Sequence, residues 1–421
     1  MQTLILHAFA PEDEFAHRVL AVLTDVLSET GSNPTIIDLS IKNVADCTGC
    51  FRCWTETPGE CYIKDDAPAV TIEMAKAERL VLFCPVVFGG FSPDLKRILE
   101  RSISILLPFM RVFHNEMHHN VRYDKHYQLC GVGILDTEDT DADTTFRKRV
   151  QRFSLNFNGR HYCAGTIIRN NGQNIDLLLR GLLQNTMETK RDDQEQSVGA
   201  SIPLLPEGSS TRVTSALMIC GSPKGTKGTS WALGSYLMRQ LQAQGIVTKS
   251  RGIYPRESLI ADVKNADLLI LSFPLYGDGL PARFKATLKD IAIADVGSKL
   301  CAALVQCGFI ESQQNETAIE MCRLFARDAG FIWLGGLGRG GGGMLAGKPL
   351  EQAPAPFAKT REALGIAAEY LAQGTPIPAA ATNLFRVQLI PRWLYAVSAN
   401  LGFTAQSIKN GRLFSIWRTP Y

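Results

Sequence analysis

The 421-residue sequence predicts an α/β protein with two doubly wound parallel sheets in tandem, on three observations. Buried strand-like runs alternate with segments of helical periodicity along nearly the whole chain. The alternation stops at a polar, proline-punctuated stretch, residues 191–212, and then starts again. Two stretches, LVLFCPVVFGGFSPDLKRIL in the first half and LLILSFPLYGDGLPARFKATL in the second, repeat one pattern. Each has a buried strand, a proline, an aromatic and a glycine, then a helix that opens on proline and carries a basic residue.

Taken in order, residues 3–9 read as a buried strand. Residues 15–30 read as a helix, with Val19, Leu20, Leu23, Val26 and Leu27 at helical spacing. A second strand follows at 35–39, then a cysteine-rich loop, a short helix at 67–77 and the run RLVLFCPVVF, a strand buried on both faces. Helices at 93–106 and 144–157 alternate with strands at 128–135 and 164–169. In the second half strands are expected at 215–220, 247–252, 266–275, 299–306 and 331–334, with helices at 230–244, 280–291 and 316–329. The expected domains are therefore residues 1–190, a linker at 191–212, residues 213–375, and a C-terminal extension at 376–421. The extension is aromatic and basic, and its pattern favours packing on the protein over contact with a membrane surface.

An apolar fraction of 45% is ample for full cores, and a formal charge of +3, from 44 basic and 41 acidic residues, gives no reason to expect nucleic acid as a partner. The N-terminus MQTLILHAF lacks the basic start and apolar core of a signal peptide, and no apolar run reaches bilayer-spanning length, so no membrane is expected and the cytoplasm is the expected location. Of the 11 cysteines, Cys84, Cys130, Cys220 and Cys301 lie inside strand-like runs, where they behave as small hydrophobes and not as disulfide partners.

The stretch MICGSPKGTKGTS, residues 218–230, reads as a strand, a phosphate-sized loop and a helix N-terminus. Backbone N–H groups and the positive end of the helix dipole favour an anion there, and Ser222, Lys224, Thr229 and Ser230 add donors. An ordinary strand-to-helix turn with a good N-cap is the plainer alternative. The matching stretch of the first half, HAFAPEDEF, brings Glu12, Asp13 and Glu14 to the start of the first helix, where they suit the dipole but repel a phosphate. Cys47, Cys50, Cys53 and Cys61 form C-x2-C-x2-C-x7-C. Three thiolates separated by two residues each, with a fourth nearby, can wrap a cubane cluster, whereas zinc sites more often use two separated pairs.

With these residues in place, both halves resemble the NADPH-dependent FMN reductase branch of flavodoxin-like proteins, including its iron-sulfur flavoprotein members. The resemblance implies two flavodoxin-like domains, each with a five-stranded sheet of order 2-1-3-4-5 and a cofactor site at the carboxyl ends of strands one and three. In the second half it assigns Ser222, Lys224, Thr229 and Ser230 to the FMN phosphate, with Lys224 as counter-charge. It lays Pro274, Leu275, Tyr276 and Gly277 along the isoalloxazine and sets Cys307, Gly308 and Phe309 at the border of the ring. The first half keeps the ring-side turn at 85–90 but has the acidic phosphate loop, so it reads as a degenerate flavin domain and one flavin per chain is expected. For the four cysteines the resemblance implies a [4Fe-4S] cluster, while a cysteine-rich loop covering the flavin pocket, or zinc, stays open beside it.

The implied activity is that of an oxidoreductase: hydride passes from NAD(P)H, the nicotinamide co-substrate, to FMN and on to an unidentified electron acceptor. Hydride transfer itself requires no side-chain acid or base, so none is assigned. A non-catalytic FMN-binding electron carrier or redox sensor is the competing reading, and a pair of cofactor-free shells is a third. The two halves are expected to form a pseudo-dimer within the chain, and assembly into a homo-oligomer stays open. Three look-alikes are set aside. The run GLGRGG at 336–341 follows the last strand of a sheet and reads as a flexible, cofactor-facing loop, and GTKGTS has threonine at 226 where a Walker A loop needs glycine. The histidines of FHNEMHHN do not match H-E-x-x-H and read as surface loop residues.

Overall fold

The computed structural model describes residues 1–169, 171–189 and 213–421. The chain divides into two compact units, Met1–Arg191 with Ala396–Tyr421, and Asp192–Tyr395. The expected linker at 191–212 lies outside the described residues.

The first unit runs β1 (Thr3–His7), α1 (Glu14–Glu29), β2 (Thr35–Asp38), α2 (Arg52–Thr55), α3 (Ala67–Lys76), β3 (Arg79–Pro85), α4 (Pro93–Arg101), β4 (Leu106–Phe113), β5 (Glu116–Val121), β6 (Tyr127–Leu135), α5 (Thr140–Asn156), β7 (Gly159–Ile168), α6 (Ile175–Gln184) and β8 (Met187–Glu188). Its main sheet has the order β2-β1-β3-β6-β7-β8, with β8 antiparallel to β7 and every other pair parallel. Counting the five parallel strands alone, this is 2-1-3-4-5, the order the resemblance implies. Alternation along the strands sends Leu4, Leu6, Leu80, Leu82 and Leu129 to one face, against Ile98 and Leu99 of α4 and Phe146, Val150 and Phe153 of α5. Ile5, Val81, Phe83, Cys130 and Val132 go to the other face, against Val19, Leu23 and Leu27 of α1. Each such fully buried aliphatic or aromatic side chain contributes roughly 1.5–3 kcal/mol.

The second unit runs β9 (Ser215–Cys220), α7 (Thr229–Ala243), β10 (Val247–Gly252), α8 (Arg256–Lys264), β11 (Leu268–Pro274), α9 (Ala282–Ile293), β12 (Leu300–Gln306), α10 (Glu316–Asp328), β13 (Ile332–Arg339), α11 (Ala358–Ala372) and α12 (Ala379–Arg386). All five strands are parallel, in the order β10-β9-β11-β12-β13, again 2-1-3-4-5. Every residue of β11 and β12 is buried, as strands covered on both faces require. The duplicated turns keep the same backbone pairing, Val87 with Gly90 and Tyr276 with Gly279, and the helix after each carries a wholly buried lysine, Lys96 and Lys285.

The expected C-terminal extension is divided. The carbonyl of Phe385 in α12 accepts from the Arg339 guanidinium (2.7 Å) in the second unit, whereas residues from Ala396 onward, most of α13 (Arg392–Lys409), belong to the first. There Asn400 Oδ1 accepts from the Met110 N–H (2.8 Å), and Arg122 donates to the carbonyls of Ile416 (3.0 Å) and Arg418 (2.7 Å). Among the described residues no helix is long and apolar enough to cross a membrane.

The chief departure from expectation is the hairpin β4–β5. The helix expected at 93–106 stops at Arg101, and the chain then forms this two-stranded antiparallel sheet, which holds two of the histidines expected on a surface loop. His118 is fully buried, with Nδ1 2.8 Å from Asn156 Oδ1, and the His119 ring lies 4.6 Å from that of Trp54. Desolvation holds the His119 imidazole down at about 4. It is neutral in the folded chain, while the unfolded chain takes up a proton near pH 6.5. Its stabilising contribution is therefore complete above pH 6.5 and is lost as pH falls toward 4, on the order of 3 kcal/mol in all. Replacing His119 with Phe should flatten the pH dependence of unfolding free energy across that window, measured as the difference between wild-type and variant urea midpoints at pH 7 and pH 5. An unchanged difference would show that His119 is not held neutral.

Candidate functional site

In the second unit the strand order reverses at β9, so the connections that leave β9 and β11 diverge to opposite faces and open a crevice at the carboxyl edge of the sheet. The loops at 221–228, 275–279 and 307–311 all leave strands at this edge. They are tied together. The Gly221 N–H donates to the Ser272 carbonyl (2.9 Å) and the Leu275 N–H to that of Gln306 (2.7 Å). The Ser272 hydroxyl donates to the Ser230 carbonyl (2.8 Å), and the Gln306 amide to Ser230 Oγ (3.3 Å). All the residues expected at a flavin thus stand along one edge.

The first loop is a tight turn, closed by the Lys224 N–H on Ser222 Oγ (3.3 Å) and the Gly225 N–H on the Ser222 carbonyl (3.0 Å). Ser222 is half-buried and Lys224 exposed. Helix α7 starts behind Gly228 with no side-chain cap, so the N–H groups of its first turn lack a side-chain oxygen. The other two expected donors are engaged inside the protein. Thr229 Oγ1 donates to the Gly342 carbonyl (2.9 Å), and buried Ser230 accepts from Gln306. The glycine-rich segment beyond β13 is responsible. A Cβ on Gly342 would overlap the Gln306 side chain, and one on Gly347 would overlap the Lys227 carbonyl. These glycines serve close backbone approach to the two loops. The run 336–341, expected as a flexible loop after the last strand, lies largely within β13, which extends to Arg339 and pairs with β12 along Gly336–Arg339.

In the third loop Cys307 is buried and turned inward. Its thiol donates to the carbonyls of Phe309 (3.3 Å) and Glu311 (3.5 Å) and accepts from Asn315 Nδ2 (3.5 Å). The Gly308 carbonyl accepts from the Tyr395 hydroxyl, and Glu311 pairs with Arg392 (2.6 Å). Burial lowers the nearby Arg339 guanidinium to about 10. Sequence reasoning missed Gln306, Glu311, Asn315, Arg339 and Tyr395. For Gln306 and Glu311 the signal was present, since both lie in QCGFIES; Asn315, Arg339 and Tyr395 carry no motif.

At the matching point of the first unit the helix end is closed. Asp13 caps α1, accepting from the Ala16 N–H (3.0 Å), and both its oxygens bind the Arg169 guanidinium (2.7 and 2.9 Å). Arg169 also reaches Asp136 (3.0 Å). The Arg169 hydrogen bonds hold the Asp13 carboxyl below its usual range. A carboxylate of the chain stands where a phosphate would need the same N–H groups.

Cys47, Cys50, Cys53 and Cys61 line one small cavity, together with Phe51 and Arg101. Trp54 anchors its wall, its indole N–H donating to the carbonyls of Ile103 (2.9 Å) and Leu106 (3.0 Å) and its ring stacked on Phe51 at 5.1 Å. Burial pushes the Cys47 thiol up to about 12 and that of Cys53 well above its ordinary value. Both are protonated at neutral pH unless a metal takes them as thiolates, which coordination does outright. Buried Arg101 binds Asp65 (2.8 and 3.1 Å) and the Ala45 carbonyl (2.9 Å) beside Cys61, and its buried Nε has no nitrogen or oxygen partner among the described residues. Among the described residues no three His, Cys, Asp or Glu side chains converge as a single metal ion requires. A cubane offers a separate iron to each thiolate, so four sulfurs around one cavity with a buried cation beside them suit it.

Residues 1–118 match the NADPH-dependent FMN reductase family. The chain is 34% identical over 85 residues to an iron-sulfur flavoprotein of Methanocaldococcus jannaschii, covering 20% of this chain and 43% of that protein. It is 30% identical over 84 residues to an iron-sulfur flavoprotein of Archaeoglobus fulgidus, covering 20% and 40%. The chain thus spans less than half the length of these relatives. Among solved structures it is similar to an NAD(P)H:quinone oxidoreductase from Methanothermobacter marburgensis, at 16% identity, 43% of this chain, 92% of that one and a TM-score of 0.34. A short-chain flavodoxin associated with a bacterial microcompartment matches at 14% identity, 37% and 95% coverage and a TM-score of 0.28.

Asp13→Ala removes a helix cap and leaves Arg169 without its main partner. It should lower the unfolding free energy of the first unit by about 1–2 kcal/mol, a cap being worth about 0.5–2 kcal/mol, read from urea denaturation. A loss below the range of a single cap would mean that Asp13 does not close this helix end.

Proposed function

We propose that this chain, whose residues 1–118 match the NADPH-dependent FMN reductase family, is a flavin-dependent oxidoreductase. In this reading it takes hydride from NAD(P)H and passes electrons to a separate acceptor in the cytoplasm. A single FMN sits at the carboxyl edge of the sheet in a flavin domain formed by residues 213–375. The observation that carries this reading is the contrast between two helix N-termini at the same point of a duplicated fold. α1 is capped by Asp13 and sealed by Arg169, whereas α7 begins at Gly228 without a side-chain cap.

When bound, FMN supplies the hydride-accepting ring, and the protein supplies position and electrostatics. The first-turn N–H groups of α7, Ser222 and the Lys224 ammonium hold the phosphate. Thr229 and Ser230 act through the backbone, since their hydroxyls already serve Gly342 and Gln306. Pro274, Leu275, Tyr276 and Gly277 lie along the ring. Gly308 and Phe309 border it, and Cys307 braces the loop from within. Cys47, Cys50, Cys53 and Cys61 would hold a [4Fe-4S] cluster, which would supply single-electron transfer. Support comes from their shared cavity and from relatives named as iron-sulfur flavoproteins.

Purified protein should show flavin absorption and oxidise NADPH with a quinone as acceptor. A colourless chain that takes up no added FMN overturns the reading, and bound FMN without turnover makes the protein an electron carrier. Ser222→Ala with Lys224→Ala should weaken FMN binding about tenfold or more, since a hydrogen bond to a charged group is worth about 1.5–3 kcal/mol. Asp13→Asn should leave it unchanged, and an equal effect of the two would move the flavin to the first unit. Anaerobically prepared protein should contain iron and sulfide that Cys47→Ala and Cys61→Ala lose; near-zero iron in the wild type would rule out the cluster.

A further inference from the structure

The last helix of the chain turns its apolar side to solvent. Within α13, Val397, Leu401 and Ile408 fall on one face by their spacing of four and seven residues. They are 49%, 64% and 56% exposed. Beyond the helix Phe414 is 95% exposed and Trp417 53%. The opposite side holds the segment to the first unit. Asn400 bonds Met110, Phe403 sets its ring edge against Trp54 at 5.4 Å, Ser407 is buried, and the Asn410 amide donates to the Thr55 carbonyl (3.1 Å). This reverses the usual arrangement of a surface helix. Scattered exposed apolar residues need no explanation, but five on one continuous segment do.

The charge of the same segment is one-sided. From Tyr370 to Tyr421 the sequence holds no aspartate or glutamate, and its cations are Arg386, Arg392, Lys409, Arg412 and Arg418. Lys409, Arg412 and Arg418 are exposed and interleave with Ile408, Phe414 and Trp417. Arg418 stands 3.8 Å from Glu60, a loose surface pair.

We propose that residues 397–418 dock this protein on the surface of a bilayer that contains anionic lipid. α13 lies in the interface plane; Val397, Leu401, Ile408, Phe414 and Trp417 enter the boundary between headgroups and acyl chains, and Lys409, Arg412 and Arg418 meet lipid phosphates. Two features favour a bilayer over a second copy of the chain. A two-fold contact through this face would oppose its cations to themselves. Phe414 also projects as a wedge, 95% exposed, beside a Trp417 ring that stacks on Phe109 at 5.1 Å and keeps its other face open, and a fluid interface accepts such a wedge without a matching groove. The docking is peripheral and does not depend on the flavin reading.

The test is co-sedimentation of the full chain with vesicles of phosphatidylcholine alone and of phosphatidylcholine mixed with phosphatidylglycerol. The chain should pellet with the mixed vesicles, stay in solution with phosphatidylcholine alone, and be released by high salt. Leu401→Ser with Phe414→Ser changes solvent-facing residues only and should reduce vesicle affinity at least tenfold with an unchanged circular dichroism spectrum. Lys409→Glu with Arg412→Glu should abolish the preference for anionic lipid. No sedimentation with either vesicle, or binding that neither pair alters, overturns the proposal. A dimer in solution that Leu401→Ser with Phe414→Ser dissolves would overturn it too, by assigning the face to a second copy.

Discussion

The first turn of an α-helix leaves backbone N–H groups without partners, and a sheet of order 2-1-3-4-5 opens that turn of its first helix at the crevice where the order reverses. Each unit has to satisfy these donors, and the two do so differently. In the first, Asp13 accepts from Ala16 and is clamped by Arg169 from the end of β7, so the demand is met within the chain. In the second, the cap position is glycine, and the surrounding hydroxyls are drawn into contacts with Gly342 and Gln306. A carboxylate at this place satisfies the helix and excludes an anion in one step; a glycine leaves the donors to whatever anion arrives. Duplication of one architecture thus yields one sealed and one open helix end.

The cysteine loop depends on a different balance. It connects β2 to α3, and burial disfavours the thiolates of Cys47 and Cys53. Their neighbour Arg101 is buried too. Burial alone would lower its guanidinium, yet Asp65 and Cys61 hold it above its ordinary value. A guanidinium kept charged beside four thiols offsets the cost of placing negative sulfur there. Trp54 and the hairpin carbonyls keep the wall in place, so the arrangement draws on residues from three separate stretches of chain.

Much of the fold was legible because parallel strands covered on both faces must be apolar throughout. β3, β11 and β12 read plainly, and the paired turns after β3 and β11 exposed the duplication. The hairpin β4–β5 was not legible, because LLPFMRVFHNEMHHNV mixes proline, histidine and charge in a way that fits neither period, and its burial is granted by Trp54 and α5. The acidity of Asp13 was readable, but its partner Arg169 lies 156 positions away, which no local pattern reports. The same limit applies to Thr229 and Tyr395. One donates to Gly342 and the other to Gly308, and only the fold brings these pairs together.

The C-terminal segment shows why an amphipathic pattern predicts two faces without saying which one turns inward. Packing on the protein was the expectation, and the segment does pack, through a side that carries Asn400, Ser407 and Asn410 together with Phe403, and through the buried Ile416 beyond the helix. Met110 and Thr55 offer backbone groups that Asn400 and Asn410 satisfy, and Arg122 gathers the carbonyls of Ile416 and Arg418. Leaving such groups buried and unpaired would cost about 1–3 kcal/mol each, which competes with the roughly 1.5–3 kcal/mol from burying one Leu or Val. Once several hydrogen bonds are set against three aliphatic side chains, the polar face wins the interior. The apolar residues then face outward because the underlying surface of the first unit asks for hydrogen bonds.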